Sequence, residues 1–277
     1  MKEDPVGSES RATAVVEIDH LTRRFGSLTA VDSLTLSVKA GDVFALLGAN
    51  GAGKTVTLKM LTTLLPPTAG TAGIAGYDIR RRPAEVRRRI GYVPQLVSVD
   101  GSLTGYENLL IFTKLYNIPR SVRADRVREA LTFMRLTSVA DKLVRDYSGG
   151  MIRRLEIAQS TLHRPPVLFL DEPTVGLDPA AREAVWERVE QLRRDHGTTI
   201  MFTTHLMEEV ERFCSRVTIM QHGRLVALGT PAELKASLGV ANATFDDVFI
   251  HYTGGMGEAE GAFRETSQAR RIMKRLG

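Results

Sequence analysis

Apolar residues change their period several times along this chain, and each change marks an element. From Val15 to Val43 short β-branched runs, VVEI and SLTLSV, are separated by turn residues and end at Ala40-Gly41-Asp42, which predicts a small antiparallel sheet. VFALL follows, apolar without a break, the pattern of a strand buried on both faces. It leads into GANGAGKT. Behind that loop VTLKMLTTLL keeps helix-compatible spacing up to Pro66-Pro67, where a missing amide hydrogen and a ring clash predict the helix end.

Between Gln95 and about Tyr147 the period is helical. ENLLIFTKLY and RADRVREALTFMRL repeat apolar residues every three or four positions, and with the helix behind YSGGM they form a helical insertion at about 96–164. Strand and helix then alternate: VLFL, AAREAVWERVEQLRR, TTIMFTT, HLMEEVERF, RVTIM. Such alternation argues for a largely parallel sheet covered by helices. A turn at His222-Gly223, a short strand RLVALG and two short helical patterns, PAELKASL and ATFDDVFIHY, follow. The boundaries that result are a flexible polar tail at 1–14, one domain at 15–240, and an extension ending in a flexible basic tail at 241–277.

Composition adds bounds rather than a function. The 277 residues are 43% hydrophobic and 25% charged, ordinary for a globular chain with a substantial core. A formal net charge of +5 favours anionic company such as nucleotides, lipid headgroups or nucleic acid without choosing among them. The one cysteine, Cys214, makes no intrachain disulfide and belongs to no zinc-type cluster, which fits a cytosolic setting. The N-terminal stretch has no apolar signal-peptide core, and no run approaches the roughly 18 residues of a membrane span.

GANGAGKT changes the picture. Gly48-Ala49-Asn50-Gly51-Ala52-Gly53-Lys54-Thr55 fits G-x-x-x-x-G-K-[ST] and sits between a buried strand and a helix. Glycines let the backbone close around phosphate so that amide hydrogens and the helix N-terminus face its oxygens. Lys54 supplies a cation for the β- and γ-phosphates, and Thr55 a hydroxyl for Mg²⁺. VLFLDE places Asp171 and Glu172 at the carboxyl end of a buried strand, where open α/β sheets bind ligands. Asp171 is placed to hold the Mg²⁺ shell and Glu172 to orient or deprotonate an attacking water; the plainer alternative is an acidic helix start. His205 follows TTIMFTT, placed either to contact the γ-phosphate or to serve as a structural hydrogen-bonder. Gln95, in GYVPQ, offers an amide to metal and water. Phe25 offers an adenine-stacking face, or else a core ring.

YSGGM stands far from the phosphate loop, yet Ser148 can cap a helix beginning near Gly149 and leave amides free for an anion. Phe25, GANGAGKT, Gln95, YSGGM, VLFLDE, GLDP and His205, in this order and over roughly Val15 to Leu238, resemble the ATP-binding cassette (ABC) family of transporter ATPases. The resemblance implies an α/β P-loop NTPase fold with a mixed RecA-like sheet, an N-terminal antiparallel β subdomain and an α-helical subdomain. It implies Walker A at 48–55 with Val56 behind it, a Q-loop at Gln95, a signature including Ser148, Gly149 and Gly150, Walker B at 167–172, a D-loop around 176–179 and a switch histidine at His205. It further implies ATP and Mg²⁺, and a head-to-tail dimer of two copies in which each ATP lies between one copy's Walker loop and the other's signature. Two outer signature positions depart from LSGGQ: Tyr147 and Met151.

ATFDDVFIHYTG looks like the tail of daunorubicin-resistance-type ATPases, which work with separate export permeases. The resulting expectation is an ATP-hydrolysing subunit, peripheral at the cytoplasmic membrane face through integral-membrane permease subunits. Its cargo would be a drug, lipid, polysaccharide or other hydrophobic compound, and nucleic acid is not an expected partner. The alternative is a soluble ABC-type ATPase of translation or DNA repair. RRRPAEVRRR is read as a solvated surface before a lipid-facing one.

Overall fold

The computed structural model describes residues 14–240 and 242–254. Apart from Ala14, the two expected tails lie outside these residues. β1 (Ala14–Phe25) and β2 (Leu28–Lys39) form an antiparallel hairpin. β3 (Val43–Leu47) is wholly buried and delivers the phosphate loop to α1 (Lys54–Leu61). β4 (Ala69–Ile74) pairs with β1, and β5 (Tyr77–Asp78) with β4, so the N-terminal sheet runs β2-β1-β4-β5, all antiparallel. After α2 (Pro83–Arg87) and β6 (Ile90–Val93) come the helices of the insertion, α3 (Gly105–Leu115), α4 (Arg123–Phe133) and α5 (Gly149–Thr161).

The chain returns through β7 (Val167–Asp171), α6 (Pro179–His196), β8 (Thr199–Thr204), α7 (Met207–Phe213), β9 (Arg216–Gln221) and β10 (Arg224–Gly229). It ends with α8 (Pro231–Ala236) and α9 (Phe245–Thr253). The second sheet runs β10-β9-β3-β8-β7-β6, with β10 alone antiparallel to its neighbour. Its mixed character agrees with the sequence expectation. Because β3, β6, β7 and β8 are parallel, their carboxyl ends share one edge.

Strand alternation explains the layering. Val43, Ala45 and Leu47 of β3 face one apolar core, while Phe44 and Leu46 face another. Leu168 and Leu170 join the first core, together with α5, α6 and α9; Val167 and Phe169 join the second, together with α1 and the antiparallel sheet. Each fully buried large side chain is worth roughly 1.5–3 kcal/mol of transfer free energy. Phe245 and Val248 of α9 are wholly buried in the first core, so this part of the expected extension is packed onto the domain.

One helix end differs from expectation. α1 stops at Leu61, before the prolines, because Thr63 turns left-handed at φ 62°. Thr63 N donates to Met60 O at 3.1 Å and Leu64 N to Lys59 O at 2.9 Å, the paired bonds of a Schellman cap. Within RRRPAEVRRR, Arg88 and Arg89 both pair with Glu85, at 2.7 and 2.9 Å, and Arg89 stacks 3.9 Å from the centre of the Tyr77 ring.

Candidate functional site

The phosphate loop is shaped by close neighbours. Gly53 has φ 100°, and a Cβ there would lie 2.5 Å from Ala30 O, so both conformation and space demand glycine. α1 opens behind Gly53 with no side-chain cap. Its first amides are therefore left for an anion. Lys54 Nζ donates to Gly48 O at 2.7 Å and Ala49 O at 3.1 Å, and lies 3.6 Å from Glu172 Oε1. Burial pushes the Lys54 ammonium below its usual pKa, with Glu172 opposing that shift. Ala49, Asn50 and Gly51 are exposed, Gly48, Ala52 and Gly53 buried, and Val56 packs partly against the second core.

β7 and β8 bring the acids to this loop. Asp171 Oδ1 accepts from Thr55 Oγ1 at 2.9 Å and from Thr203 Oγ1 at 2.6 Å. Thr203 Oγ1 in turn accepts from Glu172 N at 2.9 Å. Glu172 sits at φ 48°, a left-handed conformation that costs a non-glycine residue roughly 1–2 kcal/mol. Three other groups converge on its carboxylate. Gln95 Nε2 donates to Oε2 at 3.1 Å, His205 Nδ1 lies 3.3 Å from Oε1, and Lys54 completes the set. The His205 hydrogen bond holds the Glu172 carboxyl below the usual range; burial opposes it and the Lys54 charge assists.

A hydroxyl, a carboxylate and an amide, from Thr55, Asp171 and Gln95, form an oxygen-donor set that suits a hard cation such as Mg²⁺. No cluster of three or more His, Cys, Asp or Glu with metal-holding placement occurs among the described residues, and Mg²⁺ at a phosphate site needs none.

The signature lies on another part of the chain. Ser148 takes extended backbone and its hydroxyl accepts from Met151 N at 3.3 Å, capping α5 as expected. Ser148 and Gly149 are exposed, whereas Gly150 is buried against α6, where a Cβ would meet that of Ala181 at 2.8 Å. α5 packs on α3, α4, α6 and β6, whereas α1 packs on β2 and β7. Thus the structure joins Lys54, Thr55, Gln95, Asp171, Glu172 and His205 through contacts, but does not join the signature to them. Phe25 stands at the end of β1, 43% exposed, with Arg23 stacked 4.5 Å from its ring centre. An exposed ring is the outcome a stacking role requires, and a core role does not.

Several site residues escaped the sequence reading. Thr203 fastens both acids, and its only signal was a polar run inside a buried strand. Arg153, one turn into α5, donates to Pro94 O at 2.8 Å and Gln95 O at 3.2 Å, and pairs with Glu156 at 3.0 Å. Glu156 Oε1 accepts from Ser98 N at 2.6 Å. The helix that opens with the signature therefore grips the backbone that carries Gln95. The signal for this was charge at two positions on an otherwise buried helix face.

A phosphate loop behind one central strand, a histidine behind the adjacent strand and paired acids at the end of the next one define a P-loop nucleoside triphosphatase. The family profile described as ABC transporter matches residues 31–175. Over 230 residues the chain is 44% identical to the daunorubicin/doxorubicin resistance ATP-binding protein DrrA of Streptomyces peucetius, covering 83% of this chain and 69% of that one. It is also 44% identical, over 232 residues, to the Nod factor export ATP-binding protein I of Ralstonia nicotianae, covering 84% and 72%. The solved structure of cbiO1 from Clostridium perfringens, part of the ABC transporter complex cbiONQ, superposes with a TM-score of 0.75 at 27% identity, over 81% of this chain and 92% of that one. The chain belongs to the ABC transporter family, as an ATP-binding and ATP-hydrolysing subunit. Transport is thereby favoured over the soluble translation or repair alternative.

Proposed function

We propose that this subunit powers export of a drug, lipid or other hydrophobic or polymeric cargo through a separate membrane permease, from the cytoplasmic face. The names of the similar proteins, one for drug resistance and one for Nod factor export, support the direction. Among the described residues no helix is long and apolar enough to cross a membrane, which accords with a permease on another chain.

The convergence of Lys54, Gln95 and His205 on Glu172 is the observation that carries the residue roles. In this reading the amides of residues 48–56 and Lys54 hold the phosphates, and Phe25 stacks on the base. Thr55, Asp171 and Gln95 would hold Mg²⁺, which when bound neutralises charge on the phosphate oxygens. Glu172 accepts a proton from the attacking water while His205 and Gln95 orient both. Two copies pair head to tail, so that Ser148, Gly149 and Gly150 of one complete the site of the other. Exposure of Ser148 and Gly149 at a capped helix start, on a part of the chain away from the phosphate loop, supports that pairing. ATP drives closure only by binding the closed pair more tightly than the open one. The test is Glu172→Gln: an ATP-bound dimer should accumulate on size exclusion while turnover collapses. Near-normal hydrolysis would remove Glu172 from its role.

A further inference from the structure

Glu209 lies in the first turn of α7, 2% exposed, and is unused by the roles above. Its Oε1 accepts from Thr174 Oγ1 and from Trp186 Nε1, the latter at 3.0 Å, and its Oε2 accepts from Thr204 Oγ1 at 2.6 Å. All three donors are 1% exposed. Thr174 follows Glu172 by two residues on the strand exit, and Thr204 immediately precedes His205. Thr204 Oγ1 also accepts from Leu206 N at 3.0 Å, which fixes the turn that carries the histidine. Trp186 belongs to α6, which begins at Pro179 directly behind residues 176–178, and it is clamped by Phe213 stacked at 4.6 Å and Phe202 edge-on at 4.7 Å. One buried carboxylate thus ties the two strand exits bearing Glu172 and His205 to each other and to α6.

We propose that Glu209 is a positioning residue for ATP hydrolysis, holding the loops after β7 and β8 in the register that sets His205 against Glu172. A buried carboxylate that accepts from three buried donors is a rigid node, because every donor it loses is left unpaired. It touches neither the phosphate loop nor the base-stacking ring, so its effect belongs to turnover and not to nucleotide affinity. The inference rests on the roles given to Glu172 and His205. The chain's one tryptophan reports on the contact directly, since its indole N–H bonds the same oxygen.

The test is Glu209→Gln in the full-length chain, which replaces one accepting oxygen with a donor that faces other donors. Expected are a kcat lowered about 10- to 100-fold, the scale of a small misplacement of reacting groups, an unchanged ATP affinity, and a shifted Trp186 emission. A folded Glu209→Gln protein with wild-type kcat overturns the proposal. Parallel loss of ATP affinity and melting temperature would mark a merely structural role and also overturn it. Should Glu209→Gln fail to fold, Thr174→Val and Thr204→Val carry the same test, each removing one donor: a lowered kcat in both supports the node, and wild-type kcat in both overturns it. Normal hydrolysis by Glu172→Gln would defeat the underlying reading. An inactive Glu172→Gln beside a fully active Glu209→Gln would defeat the Glu209 assignment alone.

Discussion

Acid should weaken this fold through His163, which closes the C-terminal end of α5. Its Nε2 lies 3.0 Å from Ile90 O, the ring stacks 4.0 Å from that of Tyr116, and Nδ1 is buried with no hydrogen-bond partner among the described residues. The Ile90 carbonyl can only accept, so Nε2 carries the proton in the neutral ring. A second proton on Nδ1 would have no acceptor. Burial accordingly pushes the His163 pKa from 6.5 down to about 4, with the Ile90 bond opposing. Between those values the unfolded chain binds a proton that the native chain does not. Stability is therefore complete above pH 6.5 and falls as the pH drops toward 4, by about 1.4 kcal/mol per unit. Partial access of water to the ring reduces the total to about 2–3 kcal/mol. Urea unfolding of wild type and His163→Gln, followed by Trp186 emission from pH 7.5 to 4.5, isolates the contribution because carboxylate effects cancel in the difference. The glutamine amide still reaches Ile90 O and does not titrate. The wild-type advantage should shrink by that amount on acidification; a difference that stays flat across the range would refute the reasoning.

Lys54→Ala should weaken ATP binding or hydrolysis directly, measured by nucleotide titration and phosphate release, since it removes the cation nearest Gly48 and Glu172. Ser148→Arg should preserve ATP binding to one subunit yet abolish turnover; unchanged turnover would count against head-to-tail pairing. Phe25→Ala should raise the ATP Kd about 5- to 150-fold, the scale of a lost base stack of ~1–3 kcal/mol, and Phe25→Tyr should restore it in the same titration. Gly105→Ala should destabilise α3 by about 1–2 kcal/mol in thermal unfolding, because the new Cβ would lie 2.3 Å from Tyr147 Oη; Tyr147→Leu in the same chain should relieve most of the loss.

What the sequence revealed follows from how far apart the cooperating residues lie. GANGAGKT and VLFLDE are contiguous, so loop, flanking strand and chemistry could be read together, and β3 and β7 are indeed buried throughout. The alternation behind Leu162 likewise announced a parallel sheet. β4 escaped because AGTAGI has little apolar contrast, and β6 because four residues carry no measurable period. The end of α1 was misplaced because prolines are visible punctuation while a left-handed Thr63 is not. Partnerships were the least legible: Gln95 and Glu172 are 77 residues apart, and Thr203 and Asp171 are 32. No local pattern encodes such a contact. Glu209 looked like one acid among several on a charged helix until its three buried donors were placed around it.

The departures from LSGGQ gain a physical account at the same level. Tyr147 points inward, 7% exposed, and its hydroxyl donates to Val139 O at 2.7 Å while its ring packs beside the bare Cα of Gly105. A phenol at this position needs both a backbone acceptor and a missing side chain opposite, and the chain supplies both. Burial raises the Tyr147 pKa, with Asp141 acting in the same direction, so the proton that makes the bond stays on the ring. Met151 packs partly against the same core, and its backbone amide is the one Ser148 caps. The two unusual positions are thus taken up by packing within the subunit. Ser148 and Gly149 remain outward, and Gly150 is held against α6 by a contact that tolerates no Cβ. Changing Tyr147 therefore disturbs the seat of α5 through Gly105 and Val139, whereas changing Ser148 disturbs the exposed helix start itself. The first change should lower the melting temperature and the second, on the proposed pairing, ATP turnover, although the residues are neighbours in sequence.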